Sequence, residues 1–332
     1  MLTFNGFPRN IEQGKTSDLC LLSLSNIFFM SPIWASSCFQ QCPETYHTAV
    51  KAQSNPKTGR HLLPLQARRW CGELDAFMSL EDDLPLARMR EMCHAFSSAV
   101  RGVAKTDGLC VMSTLLTRII ETFDNWTAET LLDESCFIDQ HLTPIIKTVF
   151  SRHFNLNSRH GQTRIAGSNL PLKADFAVYY PAPDDDIYDL VPFEIKSPNN
   201  LSDAEAESDL VKLGKEMKAA LDRLVDLGLT NPVVGGVLVN GYAVSIFTMQ
   251  LAAEGVYLMS TLVDFHLLRR PTDIMLLPRI VESVQLLRLC IHPTQLAIDK
   301  AIIEGRTPDS DAPKKAWKRH SSAAPILIGR LQ

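Results

Sequence analysis

From residue 134 onward the alternation of apolar and polar positions is regular enough to name elements. In "DESCFIDQHLTPIIKTVFSRHF" the residues Phe137, Ile138, Leu142, Ile145, Ile146 and Val149 recur at helical spacing and predict a helix over about 134–152. Pro144 in its interior predicts a kink or a late start. Three short strand-like runs follow, "TRIAG", "LKADFAVYY" and "DLVPFEIK", separated by Ser-Asn and Pro/Asp turns. "SDLVKLGKEMKAALDRLVDLG" then predicts a second helix, with Leu210, Leu213, Met217, Leu221 and Leu224 on one stripe and Gly228 at the place of a C-terminal cap. "NPVVGGVLVNG" reads as a buried parallel strand, "AVSIFTMQL" and "GVYLMSTLV" as two more, and "DIMLLPRIVESVQLLRLCI" as a closing helix. The expected fold class is α/β: helix, three-strand meander, helix, strand and extra strands around a mixed sheet. The crossover helix makes the third and fourth strands parallel.

The pattern upstream is weaker. Residues 1–70 carry little periodicity and a cluster of turn signals in "SNPKTG" at 54–59. Two amphipathic helices are expected between about 83 and 125, separated by Asp107-Gly108. These readings divide the chain into an accessory region at 1–124, a catalytic-type domain at 125–305 and a basic, disordered tail at 306–332. The tail run "PKKAWKRHSS" has the composition of a nuclear import signal or a nucleic-acid arm.

Composition narrows the class without naming an activity. The 332 residues are 45% hydrophobic and 21% charged, as in a folded globular protein. A net charge of −4 gives no global basic character. Eight cysteines without CxxC pairs argue against a zinc site and a disulfide scaffold, and fit a reducing, intracellular setting, nuclear or cytoplasmic. The apolar stretch Leu19 to Ala35 is broken by Ser23, Ser25, Asn26, Ser31 and Pro32, so a buried or poorly ordered N-terminal segment is expected, with no stable membrane association.

Candidate chemistry lies in "VPFEIKSP". On a strand, Glu194 and Lys196 share a face while Phe193 and Ile195 take the other. Asp175 in "KADFAVYY" comes beside Glu194 if those two strands form a hairpin. Two converging carboxylates make a hard oxygen site suited to Mg²⁺ or Mn²⁺. Lys196 beside them can position water and offset charge on a phosphate. Glu134, on the stripe of Ile138 and Ile145, faces the sheet and needs a partner there. Between Asp139 and Asp175 the sequence has no acidic residue but carries Lys147, Arg152, Arg159, Arg164 and Lys173, with His141, His153 and His160. Arg152, Arg159 and Arg164 are therefore candidates for phosphate contact, or else for solvation of acidic parts of the same chain. Lys212, Lys215 and Lys218 form the polar face of the second helix, solvated or, for Lys212 and Lys215, in contact with nucleic acid.

Asp175 followed by Glu194-Ile195-Lys196, with Glu134 ahead on a helix, resembles the PD-(D/E)XK, or restriction-endonuclease-like, nuclease superfamily over roughly residues 125–290. The segment from "DLVKLGKEMKAALDRLVDLG" to "GVYLM" looks like nuclease-like proteins of mucor-type fungi. The resemblance implies a hydrolase in which Asp175 and Glu194 hold Mg²⁺ or Mn²⁺, Lys196 is the catalytic lysine and Glu134 is the helix carboxylate. Its implied substrate is nucleic acid, DNA more than RNA. Ala174 stands where the family motif has proline, and Lys212 and Lys215 stand where many members carry glutamine or tyrosine. A catalytically inactive module that binds nucleic acid or a protein partner is the alternative.

Overall fold

The computed structural model describes residues 18–30, 63–80, 85–104, 107–126, 133–150, 154–166, 171–183, 185–200, 208–303 and 315–321. The turn cluster at 54–59, His153 and Arg152 lie outside them. The fold is mixed α/β, as the periodicity predicts. Among the described residues seven strands form one sheet: β1 (Ile27–Met30), β2 (Asn157–Arg164), β3 (Lys173–Pro181), β4 (Ile187–Lys196), β5 (Val233–Asn240), β6 (Ala243–Ala253) and β7 (Val256–His266). Their order across the sheet is β1-β7-β6-β5-β4-β3-β2. β4 pairs with β5 and β1 with β7 in parallel; the other neighbours are antiparallel.

The first helix is interrupted. α5 (Glu134–Phe137) passes into a π turn (Ile138–Leu142) and then into α6 (Thr143–Val149), after α1 (Asp18–Leu24), α2 (Leu65–Met78), α3 (Leu86–Ala99) and α4 (Gly108–Thr122). A continuous α-helix would ask Pro144 for an N–H it lacks and press its ring onto the carbonyl one turn back; the wider π turn directly before it relieves both. Asp133 caps the N-terminus, accepting from the Cys136 N–H at 2.7 Å.

The crossover helix α7 (Asp209–Asp226) is capped by Ser208, whose hydroxyl accepts from the Val211 N–H. It closes with Leu229 N–H on the Leu224 carbonyl and Gly228 N–H on Val225, with Gly228 at φ 88°. This geometry strongly favours glycine. The closing helix α8 (Leu277–Ile303) runs past Pro293, twelve residues beyond its expected end.

α7 and α8 cover opposite faces of β5. A Cβ on Gly236 would lie 2.3 Å from Sδ of Met217 on α7, and one on Gly235 2.5 Å from Cδ1 of Leu287 on α8. The adjacent glycines let both helices approach the strand, so Gly236→Val is expected to destabilise the chain by about 1–3 kcal/mol through overpacking. Denaturant midpoints read this directly, and the loss should shrink in a Met217→Ala background.

Two expectations about the flanks change, while the buried reading of the N-terminal apolar stretch holds over residues 18–30: β1 extends the β7 edge and Leu22 packs against Gly214 of α7. Among the described residues no helix is long and apolar enough to cross a membrane. α2, unmarked by strong periodicity, is buried through Trp70, Cys71 and Leu74 and tied to α8 by Arg68 and Glu282 at 2.7 Å. One contiguous core runs from Leu21 to Ala301. In the basic tail, residues 315–321 are docked rather than free. Trp317 accepts at its carbonyl from the Gly255 N–H, Lys318 pairs with Asp226, and Arg319 with Glu254.

Candidate active site

The chemistry-bearing residues gather at the end of the sheet where β4 finishes. Phe176 of β3 is in register with Phe193 of β4, and one step further out on each strand lie Asp175 and Glu194. Cross-strand neighbours share a face, so the two carboxylates stand side by side. Asp175 also accepts the Ile195 N–H at 2.8 Å through Oδ2, which fixes its side chain against β4. Glu194 is 4% exposed, in a strand buried on both faces.

α7 crosses this face and brings a residue that the sequence reading missed. Glu216, 1% exposed, is hydrogen-bonded through its carboxyl to Glu194. Two carboxyl groups can share such a bond only if one of them keeps its proton, so the pair carries one proton between them. Burial first, then the Glu194 charge, raise Glu216 well above the ordinary glutamate value. Burial and the Asp175 charge push Glu194 up to about 8. Oε2 of Glu216 is buried without a hydrogen-bond partner. A legible signal existed: a glutamate between Leu213 and Met217, next to the apolar stripe of a helix that crosses a buried sheet.

Asp175 is raised chiefly by burial, partly offset by the Ile195 N–H and by Lys196. Glu134, half-buried at the start of α5, is raised by burial and then by the charge of Asp175, with Lys196 acting against it. The structure therefore brings Asp175, Glu194, Lys196 and Glu134 into one electrostatic neighbourhood. Lys196 Nζ lies 3.7 Å from Asp209 Oδ1 and Lys212 Nζ 3.5 Å from the same oxygen. Asp209 sits in the first turn of α7, where the helix dipole favours an anion.

The basic candidates fare unevenly. Lys215 and Lys218 are buried, at 4% and 1% exposure, which corrects the expected solvated lysine face and removes Lys215 from any surface that nucleic acid could touch. Their burial follows from α7 being covered by the sheet, by α1 and by residues 315–321. Lys218 donates to the Arg319 carbonyl and Ser321 Oγ. Lys212 remains at the rim of the site. Arg159 reaches across β3 to Asp189, whose side chain is 1% exposed, and lies over the Tyr179 ring at 5.3 Å. That pair engages the part-buried Arg159 guanidinium with a carboxylate of the same chain. Arg164 is exposed on β2, a strand that begins six residues earlier than "TRIAG". His141 is a core residue, with Nδ1 on the Leu268 carbonyl at 3.1 Å, and burial pushes it down to about 4.

Among the described residues no group of three or more His, Cys, Asp or Glu side chains is arranged to hold a metal ion. The carboxylates adjoin in pairs instead, Asp175 with Glu194 and Glu194 with Glu216. Comparison of the chain with known protein families, with curated proteins and with solved structures finds no match.

Proposed function

We propose that the chain hydrolyses phosphodiester bonds of nucleic acid, DNA in preference to RNA, at the site formed by Asp175, Glu194 and Lys196 with a divalent cation. The observation that carries this reading is the placement of half-buried Asp175 beside buried Glu194, one step beyond the Phe176–Phe193 pair, at the strand end that also bears Lys196. Burying like charges side by side is costly unless something cationic joins them. The donor chemistry fits Mg²⁺ or Mn²⁺: hard carboxylate oxygens, with a buried orphan oxygen on Glu216 in the same cluster. Asp175 and Glu194 would hold the ion, with Glu134 at the entrance. The cation would polarise the phosphate and acidify a bound water.

The chain's own groups do the rest. Lys196, tethered near Asp209 and partly exposed, offers an ammonium to a phosphate oxygen as charge builds on it. Asp209 aims that lysine and moderates it. Lys212 on the same oxygen adds a second positive group at the rim.

A second reading has its own support. The proton held between Glu194 and Glu216 and the pairing of Lys196 with Asp209 already compensate the buried charges without any ion. This favours a catalytically inactive module that binds nucleic acid or a protein. Nicking of supercoiled plasmid at millimolar Mg²⁺ or Mn²⁺, compared with EDTA, separates the two. The enzyme reading expects nicking in wild type and its loss in Asp175→Asn; no nicking by wild type with either ion overturns it.

A further inference from the structure

A partly exposed tyrosine, seated on a buried aromatic cluster and covered by exposed Arg269, adjoins the acid site, and nothing in the chemistry above uses it. Gly241 donates its N–H to the Lys196 carbonyl at 2.9 Å, so the β5–β6 turn is pinned directly to the end of β4. The next residue, Tyr242, is half-buried, and its ring meets Phe137 at 5.6 Å and His141 at 5.4 Å, edge-on in both cases. Trp126, partly exposed, lies against His141 with ring centroids 4.4 Å apart. Phe137 is three residues after Glu134 on the same helix. One helix thus runs from the acid site to the aromatic cluster, and the π turn gives the face carrying His141 its position.

The cationic part comes from the segment after β7. The Tyr242 carbonyl accepts from the Leu267 N–H at 2.8 Å, and the Leu268 carbonyl bonds to His141. Residues 267–268 are fixed, which places exposed Arg269 with its guanidinium 5.8 Å from the centre of the Tyr242 ring. Arg270 follows, with Nε 3.7 Å from Asp273 Oδ1, and Asp273 also accepts from the Arg269 N–H at 2.9 Å. An aromatic ring with an exposed guanidinium over it is the composition that stacks on an unpaired base and meets the phosphate beside it.

We infer that Tyr242 and Arg269 form a stacking platform for an unpaired nucleobase, so that the chain binds single-stranded nucleic acid in preference to duplex. The inference rests on the nucleic-acid reading of the neighbouring site but not on cleavage. It also supplies a candidate contact surface, since Arg159 and Lys215 are turned inward. A duplex keeps its bases stacked on one another and offers the ring nothing, whereas a single strand exposes a π-face at every base.

The test is fluorescence anisotropy on the full chain in EDTA, with a labelled oligothymidylate of about ten nucleotides, an abasic strand of equal length and a duplex of equal length. Oligothymidylate is expected to bind at least roughly tenfold more tightly than either of the others. Arg269→Glu, an exposed change that leaves the core intact, should lose at least roughly tenfold for oligothymidylate. Tyr242→Phe keeps the ring and should bind like wild type, while Tyr242→Ala, with folding checked by its melting curve, should fall with Arg269→Glu. Equal binding of the abasic strand, unchanged affinity in Arg269→Glu, or no binding to any of the three overturns the platform. Plasmid nicking with binding insensitive to Arg269 would sink the platform and leave the enzyme standing. Strand-selective, Arg269-dependent binding without nicking would do the reverse.

Discussion

In EDTA, raising the pH from about 6 to about 9 is expected to destabilise the folded chain by a few kcal/mol. The cause is the pair at the end of β4. Glu194 is raised from an ordinary 4.5 to about 8, and burial raises Glu216 well above its ordinary value too. Between those values the folded chain keeps a proton that the unfolded chain has released, so the stability it brings is complete below about 4.5 and is lost as the pH rises through about 8. The groups facing Glu194 set the balance: Asp175 and Asp209 oppose its ionisation, and Lys212 assists it. Glu216→Gln removes the shared proton but leaves an amide N–H for Glu194, so Glu194 ionises more easily and the pH dependence flattens. Divalent cation should oppose the alkaline loss in wild type, because it relieves the same repulsion. Thermal melts across this range, with and without Mg²⁺, measure all three effects. A wild type whose stability is flat, or rises toward pH 9, removes the buried proton from the account.

Lys196→Ala carries the second large effect, and the two functional readings part on it. If the chain is an enzyme, cleavage should drop by about 10²–10³-fold while the cation-induced rise in melting temperature stays, because the lysine faces the phosphate and not the ion. Its stability cost should be small, about 1 kcal/mol or less, since the Lys196–Asp209 pair is partly exposed. If the module is silent, Lys196 serves mainly to offset Asp175 and Glu134. Its loss then strengthens cation binding and destabilises the metal-free chain, with no cleavage to lose. Full cleavage in Lys196→Ala would remove the lysine from the mechanism.

The elements with strong periodicity were legible before any coordinates. The helix at 209–226, its Gly228 cap, the buried strand at 233–240 and the parallel crossover follow from apolar spacing and turn residues, which are local properties of the chain. The alternation in "VPFEIKSP" put Glu194 and Lys196 on one face, and the hairpin placed Asp175 beside them for the same local reason.

What the sequence could not decide depends on which surfaces meet. Lys215, Lys218 and Arg159 read as solvated or phosphate-facing because charge predicts exposure. Tertiary packing buries the two lysines, with the tail taking up the hydrogen bonds of Lys218, and turns Arg159 onto Asp189. β1 joined the sheet and residues 315–321 docked on α7 because distant segments supplied edges and charges for them, and no local pattern encodes that. Glu216 is the sharpest case. Its spacing placed it next to an apolar stripe, but only the crossing of α7 over β4 set its carboxyl against that of Glu194. A proton shared between two side chains 22 residues apart (216 − 194) is a property of the packed site and of no shorter stretch of chain.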